Sequence, residues 1–231
     1  MIGQTMRWWA LLIVVTVSSS ARQPIVAQRS PDVSGFWELS FDSRRVPAAN
    51  LVADVTPAVL ARQSERDAHA IRWCNFLGLP SGMDSPRPIN IRQGRREIVI
   101  NFETVVTPRH LYFRSSHPDM DIFDPTTNGD SIARWEGDTL IVDTMGFDGA
   151  KGVTMIPGGG YRTSDSHLIE RFRLLNDGAV LSVTFTWEDA TVFRTPHTYE
   201  FRYVRAPRLY EAQPPLPCNP FDELRTRFLL P

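Results

Sequence analysis

The sequence has almost no lysine and almost no net charge. Lys151 is the only lysine among 231 residues, and 25 basic and 26 acidic side chains leave a formal net charge of −1. A chain without a basic excess lacks the long-range attraction that draws basic proteins to nucleic acids and anionic membranes. We therefore expect no nucleic-acid partner.

The common catalytic and cofactor motifs are also missing from the sequence. It contains no Gly-x-Ser-x-Gly elbow, no His-Glu-x-x-His zinc motif, no paired-cysteine motif and no dinucleotide fingerprint. The run Gly158-Gly159-Gly160 is not followed by Lys and Ser or Thr, so it is a flexible loop tip rather than a phosphate loop. These absences predict a protein that works without a cofactor and without catalytic zinc.

An acidic loop at residues 117–130 leaves one metal alternative open. Its acidic side chains Asp119, Asp121 and Asp124 follow His117, but Asp124 stands where the EF-hand pattern needs glycine and no glutamate closes the loop. Our prediction is that no metal is bound, with loose calcium binding by this loop left open.

Long apolar runs are missing after residue 17. Trp8–Val17 is an apolar run preceded by Arg7 and followed by small residues, which is typical of a secretory signal peptide. Cleavage after Ala21 or near Ala27 fits, and an uncleaved membrane anchor is the alternative. With a signal peptide at 1–27, we expect a periplasmic or secreted protein with no stable membrane span in the mature chain.

Only two cysteines are present, Cys74 and Cys218. In an exported protein they favour a disulfide, which would fix a proline-rich C-terminal tail (212–231) to the main domain (28–211). Closing so long a loop is worth roughly 4–5 kcal/mol in the chain-entropy model. Two buried free thiols are the alternative.

Most of the chain has the alternating pattern of β-strands. The residues from Ser131 to Phe147 predict a hairpin that turns at Glu136-Gly137-Asp138, and Asn176-Asp177-Gly178 predicts a second one. One N-terminal helix is predicted from Ala58 to about Trp73, after Thr56 and Pro57. With eight to ten strands joined by short turns, the sequence predicts an all-β fold, an antiparallel up-and-down barrel or a strongly curved sheet.

Several segments resemble a family of exported bacterial proteins that are mostly described as hypothetical. The shared features are Gly35-x-Trp37, a Cys- and Pro-rich loop at 74–87, Arg109 with His117-Pro118, Trp135–Thr139, and His167 with Glu170-Arg171. Gly35-x-Trp37 also resembles the first strand of lipocalins, in which the tryptophan closes one end of the barrel. The resemblance implies a lipocalin-like barrel and no particular activity.

Polar side chains on strands of a small barrel are the candidates for binding or chemistry, since such a barrel holds one small ligand. As acid–base groups we predict Glu103, His117 and His167, with Arg109 as a clamp for an anion or carbonyl. For each of these side chains taken singly, a structural ion pair or a satisfied hydrogen bond is the more common role. The predicted ligand-binding residues are Trp135, Tyr112, Asp143, Glu170, His197 and Tyr199.

The predicted function is action on an apolar or aromatic small molecule inside the barrel. As an enzyme the protein would be a cofactor-independent lyase, isomerase or cyclase, because no nucleophile or redox motif is present. A small-molecule carrier and an envelope interaction protein with a filled core are the alternatives. Convergence of Glu103, His117 and His167 in one cavity would favour the enzyme.

Overall fold

The computed structural model describes residues 30–40, 42, 53–57, 59, 78–102, 107–149 and 156–206. The predicted signal peptide, both cysteines, Glu103 and the C-terminal tail lie outside the described residues. So does most of the predicted helix, of which Val59 is described; it is helical and buried. No helix in the described part of the chain is long and apolar enough to cross a membrane.

Nine strands form a closed barrel in the described residues, in sequence order. Their bounds, with those of a one-turn helix α1, are β1 Gly35–Leu39, α1 Ser81–Asp84, β2 Ile89–Gln93, β3 Glu97–Phe102, β4 Arg109–Tyr112, β5 Asp130–Glu136, β6 Thr139–Met145, β7 His167–Leu175, β8 Val180–Glu188 and β9 His197–Arg205. The predicted all-β barrel is confirmed.

One pair of strands departs from the predicted antiparallel arrangement. All neighbours run antiparallel except β4 and β5, which pair in parallel through Leu111–Ser131 and Tyr112–Ile132. An odd number of strands cannot alternate in direction all the way around a closed ring, so at least one parallel pair is required. The long segment 113–129 allows β4 and β5 to run parallel, because it returns the chain to the end of the barrel at which β4 begins. A strictly up-and-down barrel is therefore not confirmed.

Both predicted hairpins are present, with backbone conformations that their turn residues allow. Glu136 pairs with Thr139 around Gly137, whose φ is 63°, and Leu175 pairs with Val180 around Asn176 and Asp177 at φ 51° and 53°. Gly and Asn tolerate positive φ, which gives these turns the twist of the flanking strands.

The barrel closes at Trp37, the residue of β1 that pairs with both neighbouring strands. Trp37 lies opposite Ile89 of β2 and Arg205 of β9, and it is fully buried. Its indole N–H donates to the Val33 carbonyl at 2.9 Å, and the Arg205 guanidinium lies 4.1 Å from the ring centroid. Backbone pairing at Trp37 of the Gly-x-Trp segment thus connects β1 to both β2 and β9 and closes the barrel.

Alternate residues of every strand point inward and form one apolar core. Side chains from all nine strands contribute to it, and its aromatic part comes chiefly from β8 and β9. The largest inward-facing aromatic residues there are Phe185, Trp187, Tyr199, Phe201 and Tyr203.

One end of the barrel is covered by the segment 78–84, which contains α1; we call it the plug. This is the end at which β3 and β8 finish and β2, β4 and β9 begin. The Tyr203 hydroxyl donates to the Met83 carbonyl at 2.7 Å, and Gly82 lies against the Phe102 ring. The Cys- and Pro-rich segment 74–87 was expected to be loop throughout, so the helical turn Ser81–Asp84 was not predicted.

The buried arginine Arg162 holds the plug to the barrel. Its guanidinium donates to the carbonyl oxygens of Leu79 (2.7 Å) and Thr127, and it lies 5.0 Å from the Phe147 ring centroid. Burial lowers the pKa of Arg162 to about 10, while the nearby Asp148 acts in the opposite direction. The plug is thereby tied to the segment that returns the chain to β5.

Close packing of the plug makes Gly78 sensitive to substitution. A Cβ at this position would lie 1.9 Å from the Thr127 carbonyl oxygen, so Gly78→Ala must displace backbone. We expect it to lower the free energy of unfolding by about 2–3 kcal/mol in urea denaturation. Gly137→Ala is the control: it meets no atom within 4 Å and bears only the cost of a positive φ, about 1 kcal/mol. Equal losses would contradict the tight contact.

Candidate functional site

A hydrogen-bonded polar network lies inside the barrel near the plugged end. Arg109 of β4 forms a bidentate ion pair with Glu170 of β7: Nη1 donates to Oε1 at 2.9 Å and Nη2 donates to Oε2. The guanidinium also donates to the hydroxyls of Ser131 (3.2 Å) and Thr144 (3.0 Å), which are themselves 2.9 Å apart. The network therefore crosses four consecutive strands.

This network is enclosed by the barrel wall. Arg109 is 1% exposed and Glu170 is 0% exposed, so both charges have lost their hydration. A buried pair of this kind is tolerated only when each charge is matched and the remaining donors have acceptors. The negative charge of Glu170 is matched by the positive charge of Arg109, and the ion pair joins β4 to β7 across the barrel interior.

An aromatic group adjoins the polar network on β8 and β9. The Trp187 indole N–H donates to the Tyr199 hydroxyl at 3.2 Å, and the Tyr199 ring stacks on Phe185 at 5.0 Å between centroids. Burial raises the pKa of Tyr199 well above 10, and the charges of Asp84 and Glu170 add to this. No acceptor for the Tyr199 hydroxyl proton is found among the described residues.

Asp84 ends the helical turn of the plug and brings a second carboxyl group to this end. Its side chain is partly buried and forms no ion pair or side-chain hydrogen bond within the part of the chain that the structure describes. Burial raises the pKa of Asp84 to about 7. The negative charge of the group lies close enough to raise the pKa values of Tyr199 and Tyr203.

A second polar cluster lies on the outer face of the same strands. Asp143 of β6 accepts contacts from two imidazoles on the same oxygen: Oδ1 is 2.8 Å from Nε2 of His167 and 3.2 Å from Nε2 of His117. All three side chains are partly exposed, between 11% and 29%. Two of the predicted acid–base residues and one predicted ligand-binding residue thus meet in one place.

Further carboxylates flank this outer cluster. Nδ1 of His117 lies 2.6 Å from Asp130, which is also paired with Arg114, and Nδ1 of His167 lies 3.1 Å from Glu188. Each imidazole therefore lies between two carboxylates. Since a carboxylate only accepts, a neutral imidazole satisfies one of its two contacts and an imidazolium satisfies both.

The predicted site residues are divided by the barrel wall. Arg109, Glu170, Tyr199, His197 and Trp135 belong to its inner face, whereas His117, His167, Asp143 and Tyr112 lie outside. A single site that uses Arg109 together with both histidines is therefore not formed. Whether Glu103 joins either group lies outside the described residues.

Three of the remaining candidates have structural partners. His197 is buried, and its Nε2 donates to the Pro157 carbonyl at 2.6 Å; burial lowers its pKa. Tyr112 stacks on His110 beneath the Arg114 guanidinium on the outer surface. Trp135 packs at the opposite end of the barrel from the plug, beside the β5–β6 turn.

Several groups of the two clusters escaped the sequence analysis. Asp84 lies in a Pro- and Gly-rich stretch whose pattern predicts only loop, and no local signal shows that it returns to the barrel. Nothing in the local sequence distinguishes Ser131 and Thr144 from other strand residues. Only the register of β5 and β6 places them opposite each other. The opposition of His167 to Glu188 could have been found, because both lie the same distance from the Asn176-Asp177-Gly178 turn.

The acidic loop adds no further cluster to the site. Asp119, Asp121 and Asp124 are exposed, and the Asp119 carboxylate accepts the backbone N–H of Asp121 at 3.1 Å. Within residues 30–40, 78–102, 107–149, 156–206 and the shorter described pieces, no group of three or more His, Cys, Asp or Glu is placed to hold a metal ion.

Comparison with known proteins adds no assignment to this geometry. No family model matches the sequence, and no curated protein is significantly similar to it.

The buried Arg109–Glu170 pair should be tested by a double-mutant cycle. Arg109→Met leaves Glu170 without a counter-ion, and we expect it to cost about 3–5 kcal/mol of unfolding free energy. The double variant Arg109→Met/Glu170→Leu removes both charges and should recover at least half of that loss. Urea denaturation of Arg109→Met, Glu170→Leu and the double variant completes the cycle, and a double-variant loss equal to the sum of the two single losses would show that the charges do not interact.

Asp84 should make stability depend on pH. Because burial raises its pKa from 3.8 to about 7, the folded protein holds a proton between about pH 4 and pH 7 that the unfolded chain releases. The contribution of this group to stability therefore falls as pH rises through that window. At about pH 8, Asp84→Asn should raise the unfolding free energy by about 2–4 kcal/mol, with little change at about pH 4.

A matched variant separates this effect from the loss of a charge as such. Asp165→Asn removes an exposed aspartate, and urea denaturation of both variants across the same pH range gives the comparison. Parallel pH profiles for Asp84→Asn and the unmodified protein would contradict the burial of the Asp84 carboxyl.

Proposed function

We propose that this protein is an exported, lipocalin-like barrel that binds an apolar or aromatic small molecule inside the barrel at its plugged end. The observation that carries the proposal is the pair of polar groups there with unused hydrogen-bonding capacity. The Asp84 carboxyl forms no ion pair or hydrogen bond with another side chain, and the Tyr199 hydroxyl proton has no acceptor, among the described residues. Aromatic rings surround Tyr199 on both sides.

Unused polar groups at a buried position are costly and therefore informative. A buried donor or acceptor without a partner costs about 1–3 kcal/mol, and the folded chain keeps such groups chiefly where a ligand or water completes them. Small-molecule sites commonly combine an apolar and aromatic lining with a few convergent polar groups. Tyr199, Asp84 and the Arg109–Glu170 pair fit that composition.

The lipocalin-like part of the proposal rests on the barrel and on its first strand. Strands follow one another around the ring in sequence order, and buried Trp37 joins the first strand to the last. The parallel pair β4–β5 is the departure from a simple meander. Export rests on the signal-like run Trp8–Val17 and implies a periplasmic or secreted location.

Acid–base catalysis without a cofactor is the second candidate, as a lyase, isomerase or cyclase. Burial raises the pKa of Asp84 to about 7, which is the range in which a carboxyl group both takes up and releases a proton near neutral pH. Asp84 then replaces His117 and His167 as the acid–base group, since the imidazoles lie on the outer face. A non-catalytic carrier uses the same groups only to orient its ligand.

The test is to look for a bound molecule in protein purified from its own host. Native mass spectrometry should detect the protein with an added mass, and denaturing analysis should release an apolar or aromatic compound. A thermal-shift screen of such compounds should raise the melting temperature, and Phe185→Ala, which opens the aromatic wall, should change the ranking of ligands.

The outer cluster provides the matched control for this experiment. His167→Gln alters the outer face of β7 and should leave the ligand ranking unchanged. An empty protein that no compound stabilises would instead indicate an envelope interaction protein with a filled core.

A further inference from the structure

We propose that the opening between β4 and β5, at the end of the barrel opposite the plug, is a docking site for an extended, acidic segment of a partner protein, which adds to β5 as a further strand. We call this opening the seam. Residues 133–136 of β5 border it on one side, and Phe113 with the β2–β3 turn at 94–96 borders it on the other. Its occupancy does not depend on what the barrel holds inside.

The barrel closes between β4 and β5 over a very short ladder. In the described residues this ladder consists of two pairs, Leu111–Ser131 and Tyr112–Ile132. On its other side β5 is paired with β6 over its whole length. Residues 133–136 therefore run beyond the end of β4 with one edge paired and the other edge open.

No described segment continues the line of β4 beyond Tyr112. The Phe113 N–H donates to the Arg96 carbonyl at 2.9 Å, and the Arg114 N–H turns back to the Tyr112 carbonyl at 3.0 Å. The chain thus leaves the sheet at Phe113 and does not cover the edge of residues 133–136.

Backbone groups on this open edge have no partner. Glu136 and Thr139 flank a two-residue turn and exchange hydrogen bonds with each other, so Glu136 and every second residue before it face β6. Trp135 and Ala133 therefore face the seam. The N–H and C=O of Trp135 and the C=O of Ala133 form no hydrogen bond within the part of the chain that the structure describes. An edge with such free groups is a template for a further strand.

Aromatic side chains at the seam suit the alternating side chains of an added strand. Trp135 and Phe113 are both only partly buried, and both pack against the core of the barrel. In recognition by strand addition, main-chain hydrogen bonds provide affinity and contacts to alternate side chains provide specificity. The seam offers both kinds of contact to an extended segment with apolar residues at every second position.

Unpaired positive charge beside the seam favours an acidic segment. Arg95 and Arg96 of the β2–β3 turn are exposed, and neither guanidinium forms an ion pair or hydrogen bond with another described residue. The nearby acidic side chains already have partners, in the pairs Glu97–His110 and Glu136–Arg134. Complementary charge at the border of an interface accelerates association and selects the partner.

Other occupants fit these features less well. Pairing of β5 with β5 of a second copy would place the arginines of both copies beside one seam, where like charges oppose association. A free phosphate or a lipid headgroup would use the arginines and leave the N–H and C=O groups of β5 unpaired.

Amide hydrogen exchange of the full-length protein, followed by NMR, tests whether the seam is open. The Trp135 amide should exchange at least about a hundredfold faster than the Arg134 amide, which is bonded to β6. Slow exchange of the Trp135 amide in the free protein would show that residues 207–231 or a second copy already occupies the seam, and it would overturn the proposal.

The binding experiment uses two labelled peptides that differ only in charge, acetyl-(Glu-Val)4-amide and acetyl-(Lys-Val)4-amide, titrated by fluorescence anisotropy. The acidic peptide should bind at least about tenfold more tightly, and it should slow exchange of the Trp135 amide without changing that of Arg134. Arg95→Gln/Arg96→Gln should lower its affinity about tenfold. The matched control Arg171→Gln/Arg202→Gln removes two exposed arginines from the outer faces of β7 and β9 and should change the affinity less than about twofold.

N-methylation separates strand pairing from charge attraction, because it removes N–H donors and keeps every side chain. One version of the acidic peptide is methylated on the valine nitrogens and another on the glutamate nitrogens. Only one of these two sets faces β5, so one version should bind at least about tenfold more weakly while the other binds like the parent peptide. Equal affinity of the two versions, or no binding of the parent peptide, would overturn strand addition.

Discussion

The requirement that a ring of nine strands close on itself determines much of this structure. Since strand directions cannot alternate around an odd ring, one pair must be parallel, and the chain supplies it between β4 and β5. A parallel pair requires a long connection, and residues 113–129 form it by running back to the end of the barrel at which β4 begins. That segment carries His117 to the outer wall and presents Thr127 to the plug, so the outer cluster and the attachment of the plug both depend on it.

Strands β5, β6 and β7 each contribute residues to both the inner network and the outer cluster, because successive residues of a strand face opposite sides of the sheet. Asp143 and Thr144 are neighbours on β6, yet one contacts the histidines outside and the other contacts Arg109 inside. Asp130 and Ser131 divide in the same way on β5. The wall that separates the regions is one backbone thick, which places two different chemical environments within one sheet.

Local patterns were sufficient for the strands and insufficient for the site. Alternation and the turns at Gly137 and Asn176-Asp177-Gly178 are properties of neighbouring residues, so β5 to β9 follow from the sequence. The parallel pair, the plug and the partner of Arg109 depend on contacts between residues far apart in the chain. Arg109 and Glu170 could be named as polar strand residues, but only the closed register shows that they form one buried pair. Asp84 had no local signal, because its role comes from where the plug folds.

The division of β6 between two faces has a consequence for how such a protein tolerates sequence change over evolution. Substitutions alter one face at a time, so the inner and outer surfaces are free to diverge independently. Insertion or deletion of a single residue early in Thr139–Met145 is different, because it would exchange inward and outward side chains over the part of the strand that follows it. Asp143 would then enter the apolar interior and Thr144 would face solvent. Relatives that retain this barrel should therefore vary in the lengths of their loops, while the length of this strand stays fixed.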